Sequence, residues 1–332
     1  MRWLIGIVVT ILAVLGLGYW YLSAPDIPRS VLEAKYATPP SRFTDITYAS
    51  TLPGGAPGTA PNAAHVHFRI RGAAGAPVLL LLHGSNATLF TWEPWSKALS
   101  DHFRVVSVDL PAHGLTGPTA NHDYTQAGMA NFVLAFADKL GLKTFALAGN
   151  SMGGGVAARF AEEHPARVDA LILVDAAGMP SKMGDHTPVA FKLLRYGWAR
   201  SLLGHLDPKP LVKEGLNDAI VHKDVLTPAM IDLYSDMARM DGARAATSER
   251  FTQFSMADVT YVKDHVHALT MPVLILWGEQ DHLIPVAAAH TWNRALPGSK
   301  LIVYPATGHI PMEEVASQSA ADVRAFLTAH GQ

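Results

Sequence analysis

The stretch Ala148-Gly149-Asn150-Ser151-Met152-Gly153-Gly154-Gly155 decides the fold of this chain. It follows a short apolar run, residues 144–147, and it opens a helical pattern. Strand, sharp turn and helix in this order place a serine on a strained backbone with its hydroxyl pointing outward. Small residues must flank such a serine because strand and helix nearly touch at the bend, and Gly149 and Gly153 meet that requirement. Ser151 is therefore a candidate nucleophile, and a glycine-rich turn with an idle serine is the alternative.

Around this stretch, runs that are apolar throughout alternate with helical patterns, which is typical of a parallel sheet covered on both faces. The alternation is interrupted over residues 178–270, about 90 residues of mostly helical pattern, which is too long for a simple crossover. We therefore predict an α/β fold: a mostly parallel central sheet with helices on both faces, a core over residues 43–177 and 271–332, and a helical cap inserted over residues 178–270.

The boundaries of the elements follow from the same patterns. The predicted strands are Asp45–Tyr48, His65–Arg71, Pro77–Leu82, Phe103–Asp109, Phe145–Gly149, Ala170–Asp175, Pro272–Trp277 and Leu301–Tyr304. The predicted helices are Trp92–Asp101, Thr125–Leu140, Met152–His164, Val286–Ala295 and Glu313–Thr328. Residues 52–64, rich in Gly, Pro and Ala, are expected to form a surface loop.

The N-terminus carries an uncharged run of about 20 residues, Trp3–Leu22, which is long enough to span a bilayer as a helix. Trp3 lies at one end and Tyr19-Trp20-Tyr21 at the other, where membrane helices carry their aromatic belts. A cleaved signal peptide is the alternative. Its apolar core usually has about 7–15 residues, and Leu22-Ser23-Ala24 matches the small-x-small cleavage site poorly. The sequence favours an uncleaved anchor.

The charge next to this run predicts its orientation. Arg2 and the amino terminus would remain cytoplasmic, which places the rest of the chain on the other side of the membrane. We expect a transmembrane anchor over residues 1–22, a proline-rich tether over residues 23–42, and an extracytoplasmic catalytic domain, facing the periplasm if the membrane is a bacterial inner membrane.

Composition excludes several classes of function. A net charge of −2 over 332 residues gives no basic surface for nucleic acid. The absence of cysteine excludes disulfides, a cysteine nucleophile and thiolate metal sites. The chain has 16 histidines, but the pairs His65/His67 and His265/His267 do not cluster as metal ligands do, so no metal site is predicted.

A base and an acid follow the serine in the chain. His309 lies on the loop after the last predicted strand, where its imidazole could reach Ser151 at the carboxyl end of the sheet. It would take the serine proton and return it to the leaving group. Asp281 follows the preceding strand, so its carboxylate could bond the far ring nitrogen of His309. Asp175, at the end of an earlier strand, is the alternative acid.

An oxyanion hole needs two backbone N–H groups. One should come from Met152, the residue after the nucleophile, and the other from the loop His83-Gly84-Ser85-Asn86. Ser85 is the first choice of donor and Asn86 the second, and Asn86 is also a candidate substrate contact. His83 is expected to order the loop without a chemical role.

The first part of the predicted cap is rich in large apolar side chains, which would form either an acyl-chain pocket or a membrane-facing entrance. Ordinary packing between cap helices is the alternative. Phe191 and Trp198 are the candidate substrate contacts. The cluster consists of Phe191, Leu193, Leu194, Tyr196, Trp198, Leu202 and Leu203.

With serine, acid, histidine and oxyanion loop in this chain order, residues 65–330 resemble the α/β-hydrolase superfamily. Within it, the chain looks like membrane-anchored monoacylglycerol-lipase-like hydrolases and bacterial lipases. The resemblance implies hydrolysis of carboxylic esters of lipid-like or small apolar alcohols, with no cofactor. It is carried by the N-terminal span, the turns HGSNA at 83–87 and DLPAHG at 109–114, the elbow NSMGG at 150–154, and the long cap with Leu226-Thr227-Pro228.

Two other functions stay open. The elbow GNSMGG at 149–154 also resembles hydrolases that cleave carbon–carbon bonds in products of aromatic ring cleavage. Their histidine is typically followed by tryptophan, where this chain has Ile310, and their glycine-rich oxyanion loop is replaced here by Ser85-Asn86. Some proteins of this fold are ligand receptors that turn over slowly or not at all. We expect a serine esterase or lipase that acts on a small-molecule or lipid ester and contacts the membrane through its N-terminal helix. No protein partner is implied.

Overall fold

The computed structural model describes residues 2–52, 61–180, 204–253 and 255–332. Eight strands form one sheet in the order β1-β2-β4-β3-β5-β6-β7-β8. β1 and β2 pair antiparallel and β2 runs antiparallel to β4, whereas the pairs from β4 through β3 to β8 are all parallel, so the predicted mostly parallel sheet is confirmed. The strands are β1 Ser41–Tyr48, β2 Asn62–Arg71, β3 Val78–Leu82, β4 Arg104–Val108, β5 Phe145–Asn150, β6 Val168–Val174, β7 Val273–Gly278 and β8 Lys300–Tyr304.

The described residues contain twelve α-helices, which we number in chain order. They are α1 Arg2–Leu22, α2 Arg29–Tyr36, α3 Glu93–Leu99, α4 Gln126–Lys139, α5 Met152–Glu163, α6 Lys209–Ala219, α7 Pro228–Ala238, α8 Ala243–Gln253, α9 Met256–His265, α10 Ala287–Ala295, α11 Pro311–Glu314 and α12 Ala316–Ala329.

Helices cover both faces of the sheet because successive side chains of each buried strand point to opposite sides. In β3, Leu80 and Leu82 pack toward α4, α5 and α10, in a core cluster that includes Phe136, Phe160 and Trp292. Leu79 and Leu81 belong to the other face, where α3 and α12 contribute Trp95 and Phe326. This arrangement explains why a central strand such as β3 is apolar at every position, as the sequence predicts.

Most predicted boundaries lie within two residues of the observed ones, and three places differ by more. The predicted surface loop over residues 52–64 ends earlier, because β2 already begins at Asn62, which pairs with Tyr48 of β1. β1 itself begins at Ser41, four residues before the predicted strand. The predicted last helix, Glu313–Thr328, is two helices, α11 and α12, separated at Val315, whose backbone leaves the helical region with φ −125°.

The N-terminal helix α1 contains a window, Ile5–Leu22, that is long and apolar enough to cross a membrane, with a mean hydropathy of 2.1. No part of this window is buried against the rest of the protein, and large side chains such as Trp3 and Trp20 are exposed. Length and composition are the grounds for this assignment, and a membrane anchor and a signal sequence both satisfy them.

Residues 23–42, for which the sequence predicts a tether, pack against the body of the protein. They contain α2 and the start of β1. Leu32 of α2 is 1% exposed and packs in a cluster with Leu115 and Met240. Arg29 donates hydrogen bonds to the carbonyl oxygens of Leu115, at 2.5 Å, and Thr116. The segment therefore joins the N-terminal helix to both the core and the helical region around Met240.

The region of the predicted cap is helical where the structure describes it. Residues 204–253 and 255–270 contain α6, α7, α8 and α9, and these two ranges contain no β-strand longer than an isolated bridge. The apolar cluster predicted to meet the substrate, including Phe191 and Trp198, lies outside the described residues.

Candidate active site

Ser151 lies at the junction of β5 and α5, with φ 52° and ψ −121°. A non-glycine residue rarely adopts a positive φ, so the predicted strained turn is present. The glycine at position 149 is required sterically, because a Cβ there would lie 2.2 Å from the carbonyl oxygen of Gly153. The Ser151 N–H donates to Val174 O of β6 at 3.0 Å. The turn is thus clamped between the strand, the helix and the neighbouring strand.

The structure brings His309 and Asp281 together at the carboxyl end of the sheet. His309 Nδ1 and Asp281 Oδ2 are 2.7 Å apart, and both residues are 5% exposed. The other Asp281 oxygen, Oδ1, accepts the N–H groups of Leu283 and Ile284 at 2.8 and 3.0 Å. These bonds hold the carboxylate in one orientation, which in turn fixes the tautomer in which His309 Nδ1 donates and Nε2 is left as a base.

Asp175, the alternative acid, lies beside this pair but does not bond the histidine. Ligand atoms of Asp175, Asp281 and His309 all lie within 4.8 Å of one another. Asp175 Oδ1 accepts the N–H of Gly278 at 2.9 Å. Burial, and next the charge of Asp281, raise the pKa of Asp175 well above its ordinary value, which favours the neutral form of this carboxyl.

Asp175, Asp281 and His309 are close enough together to be considered as ligands of a metal ion. The atoms that would bind one are already engaged, because Asp281 Oδ2 and His309 Nδ1 bond each other and Asp281 Oδ1 accepts two backbone N–H groups. The geometry fits an acid–base pair with a second carboxyl behind it.

The side chains of Ser151 and His309 do not form a hydrogen bond with each other in this structure, and such bonds are often long before substrate binds. The two residues are linked through Asn150, whose Nδ2 donates to His309 O at 3.0 Å and to Val174 O at 3.2 Å. Asn150 was not among the predicted site residues. Nothing in its sequence pattern distinguishes it from an ordinary residue of the glycine-rich turn.

The predicted oxyanion loop lies directly against Ser151, the candidate nucleophile. A Cβ on Gly84 would be 3.1 Å from Ser151 Cβ and 2.8 Å from Asn150 Oδ1, so only glycine fits there without displacement. No described residue accepts a hydrogen bond from the backbone N–H of Ser85 or of Met152, the first residue of α5. Ser85 Oγ is buried and has no partner among the described residues.

His83 orders this loop through both ring nitrogens. Its Nδ1 donates to Gly84 O at 2.8 Å, and its Nε2 accepts the N–H of Leu110 at 3.0 Å. Burial is the main cause that lowers the pKa of His83, so the ring is neutral and can act as donor and acceptor at once. The loop is therefore tied to the turn after β4.

Asn86, a predicted substrate contact, is exposed and has a positive φ of 56°. Its side-chain oxygen accepts a hydrogen bond from Arg250 Nη2 of α8 at 2.8 Å. Arg250 Nη1 lies 3.6 Å from the sulfur of Met152. Arg250 is not among the predicted site residues, since a lone arginine in a polar helix looks like a solvated residue.

Glu314 is a second residue that the sequence analysis does not identify. Its Oε1 accepts the N–H of Gly308 at 2.9 Å, and its Oε2 accepts the N–H groups of Val221 and His222 at 2.7 and 2.9 Å. The N–H of His309 donates to Ala219 O at 2.8 Å. The loop that carries the histidine is thus held to the end of α6, in the region of the predicted cap.

The chain is similar in sequence to a lipase and in fold to a phospholipase. The chain is 28% identical over 273 residues to monoacylglycerol lipase abhd6-A of Xenopus laevis, covering 75% of each chain. Its fold is similar to the crystal structure of a bacterial membrane phospholipase A, with a TM-score of 0.67, 23% identity, and coverage of 99% of this chain and 98% of that one.

A meta-cleavage product hydrolase, CumD of Pseudomonas fluorescens, is similar in fold as well. The TM-score is 0.67 at 19% identity, with 85% of this chain and 97% of that chain covered. Residues 77–315 match the family model described as alpha/beta hydrolase fold, which is most of the chain. The sheet, the serine turn and this match together show that the chain belongs to the α/β-hydrolase family.

Proposed function

We propose that this protein is a serine hydrolase that cleaves carboxylic esters, with Ser151 as nucleophile, His309 as general base and acid, and Asp281 as the residue that orients His309. The observation that carries the proposal is the buried 2.7 Å bond between Asp281 Oδ2 and His309 Nδ1, beside a serine held at φ 52°. An oriented imidazole next to a serine on a strained turn is the arrangement that acyl transfer requires.

The proposed reaction has two stages. Ser151 Oγ attacks the ester carbonyl carbon while His309 Nε2 takes the hydroxyl proton, and the oxyanion binds the N–H groups of Ser85 and Met152. When the tetrahedral intermediate collapses, the C–O bond to the alcohol breaks and His309 gives the proton to the departing alcohol oxygen. Water then attacks the acyl-enzyme by the same route, releasing the acid and the free serine.

The substrate proposed is a lipid-like ester, such as a monoacylglycerol. The similarity to a monoacylglycerol lipase supports an acylglycerol substrate, and the N-terminal apolar helix supports action beside a membrane. We propose that this helix, residues 1–22, is an uncleaved anchor with its N-terminus in the cytoplasm, followed by a connecting segment over residues 23–42. The catalytic core would then comprise residues 43–177 and 271–332, and the cap residues 178–270, with Phe191 and Trp198 as candidate substrate contacts.

The test is hydrolysis of monoacylglycerols and short-chain esters of graded length by the full-length protein in detergent. Wild type is compared with Ser151→Ala and with Ser317→Ala, which removes a hydroxyl from an exposed position of α12. We expect Ser151→Ala to lose at least about 10³-fold in kcat, and Ser317→Ala to match wild type. Undiminished turnover by Ser151→Ala would contradict the nucleophile. Cleavage of short water-soluble esters with no activity on monoacylglycerols would contradict the lipid substrate.

A second candidate is hydrolysis of a carbon–carbon bond in a ring-cleavage product. The GNSMGG elbow and the likeness to CumD favour it, although Ile310 follows the histidine. Serine-dependent turnover of a ring-cleavage product without turnover of any ester would select this activity. Specific binding of a ligand without turnover would select a receptor.

A further inference from the structure

Arg250 is a buried cation with no acidic partner among the described residues. It is 6% exposed on α8, and its polar contacts are the Asn86 side-chain oxygen and the Met152 sulfur, with its guanidinium over the ring of Phe251 at 4.3 Å. Its Nε is buried and unpartnered. Arg244 on the same helix, by contrast, forms an ion pair with Asp26.

None of the described groups around Arg250 compensates its charge. Burial, and next the charge of Arg250, lower the pKa of His113 well below its ordinary value, and the pKa of His83 is lowered as well. Both imidazoles are therefore neutral. Burial lowers the pKa of Arg250 itself to about 10, so the guanidinium still carries its proton at pH 7. An unpaired buried charge is strongly unfavourable unless a bound ligand supplies the opposite charge.

The position of Arg250 indicates which kind of ligand would neutralise its charge. Arg250 contacts Met152, the residue after Ser151, and Asn86, two residues beyond Gly84. Gly84 in turn lies against Ser151. The guanidinium thus contacts a side chain from each of the two segments that would form the proposed oxyanion hole. A planar fork of N–H donors at such a place suits two oxygens of a carboxylate or a phosphate.

We propose that Arg250 binds an anionic group of the substrate, a carboxylate or phosphate oxyanion close to the scissile ester. This inference rests on the proposed esterase function of Ser151 and narrows it to acidic esters. In the bound state the anion would neutralise Arg250 and occupy its unpartnered donors, while Asn86 keeps the side chain aimed at the site.

Two pairs of substrates test the proposal with the full-length protein in detergent. One pair is 1-hexanoylglycerol and 1-hexanoylglycerol 3-phosphate, which differ in a phosphate on the alcohol side. The other is butyl pentanoate and monobutyl glutarate, which differ in a carboxylate on the acyl side. We expect wild type to favour the charged member of at least one pair by about 10-fold or more in kcat/KM, and the preferred pair identifies the anion.

Variants of Arg250 distinguish recognition of the substrate's charge from structural support of the oxyanion loop. Arg250→Gln should lower kcat/KM on the charged ester by about 10- to 100-fold, mainly by raising KM. On the neutral ester it should lower kcat/KM by less than about 3-fold. Arg250→Lys should keep part of the preference because it keeps the charge. Arg244→Gln, on the same helix but paired with Asp26, should leave the preference unchanged. Equal losses on both members in Arg250→Gln, with a preserved Tm, would mean that Arg250 supports the oxyanion loop, and would overturn the proposal.

Two measurements do not depend on the stability of Arg250→Gln or on turnover. Wild type that favours the neutral member of both pairs, or treats the members alike, overturns the proposal without any variant. Binding of 1-hexanoylglycerol 3-phosphate to Ser151→Ala is measured without hydrolysis, and it should be at least about 10-fold tighter than binding of 1-hexanoylglycerol. If no ester is hydrolysed but this difference in affinity is found, the esterase function fails and the anion site stands. Equal affinities, together with absent turnover, refute both.

Discussion

Glu162, near the end of the helix that starts after Ser151, should destabilise the protein at neutral pH. It is 7% exposed, and neither carboxyl oxygen has a hydrogen-bond partner among the described residues. The nearby Arg159 is engaged elsewhere, with Glu163 at 2.9 Å and Asp258 at 3.3 Å. Burial raises the pKa of Glu162 from 4.5 to about 8, and the charges of Arg159 and Glu163 act in opposite directions on it.

The sign of the effect follows from linkage. Below pH 4.5 the carboxyl is protonated in both folded and unfolded chains, so it costs nothing. Between pH 4.5 and about 8 the unfolded chain releases the proton and the folded chain keeps it, so stability falls as pH rises. At about 1.4 kcal/mol for each pKa unit, the upper bound at pH 7 is about 3 kcal/mol, and partial access of water reduces our expectation to about 2 kcal/mol.

Glu162→Gln removes this cost while preserving the shape of the protonated side chain. We expect its free energy of unfolding to exceed that of wild type by about 2 kcal/mol at pH 7, and by less than about 1 kcal/mol at pH 5. The measurement is urea unfolding, with the midpoint and slope determined at both pH values. Glu214→Gln, at an exposed position of α6, is the matched control and should show no such difference. A gain that is equal at both pH values, or absent, would refute the reasoning.

Two further predictions concern the histidine. Asp281→Asn should lower kcat by about 10³- to 10⁴-fold because the carboxylate that orients His309 is lost. Asp175→Asn should lower kcat by less than about 10-fold, since Asp175 bonds the Gly278 N–H and not His309. If steady-state kinetics gave the same loss of kcat for Asp281→Asn and Asp175→Asn, the two carboxyls would act as one unit. Glu314→Gln should lower the free energy of unfolding by about 2 kcal/mol and also lower kcat, because it weakens the three hydrogen bonds that hold the loop of His309. Unchanged urea unfolding and unchanged kcat in this variant would contradict that role.

Local patterns in the sequence were sufficient to predict the layers of the fold. The apolar runs, the helical periodicities and the turn around Ser151 each depend on neighbours in the chain, and the parallel sheet follows from their alternation. The order of serine, acid and histidine also placed their loops at the same edge, since the carboxyl ends of parallel strands meet there. The strain predicted at the serine is present in its φ of 52°.

Contacts between distant residues were decided by the tertiary structure. Asp175 and Asp281 each follow a parallel strand, so the sequence could rank them but not exclude one, and the bond to His309 comes from Asp281. Arg250 is 98 residues from Met152 in the chain, and its lack of an acidic partner among the described residues depends on how α8 packs against the turn at Ser151. The periodicity of a sequence shows which face of a helix or strand is apolar. Whether a charged side chain on that element is buried, and whether it forms an ion pair, depends on the distant residues that pack against it. For this reason the fold and the candidate site residues could be predicted from the sequence, whereas the buried charge of Arg250 could not.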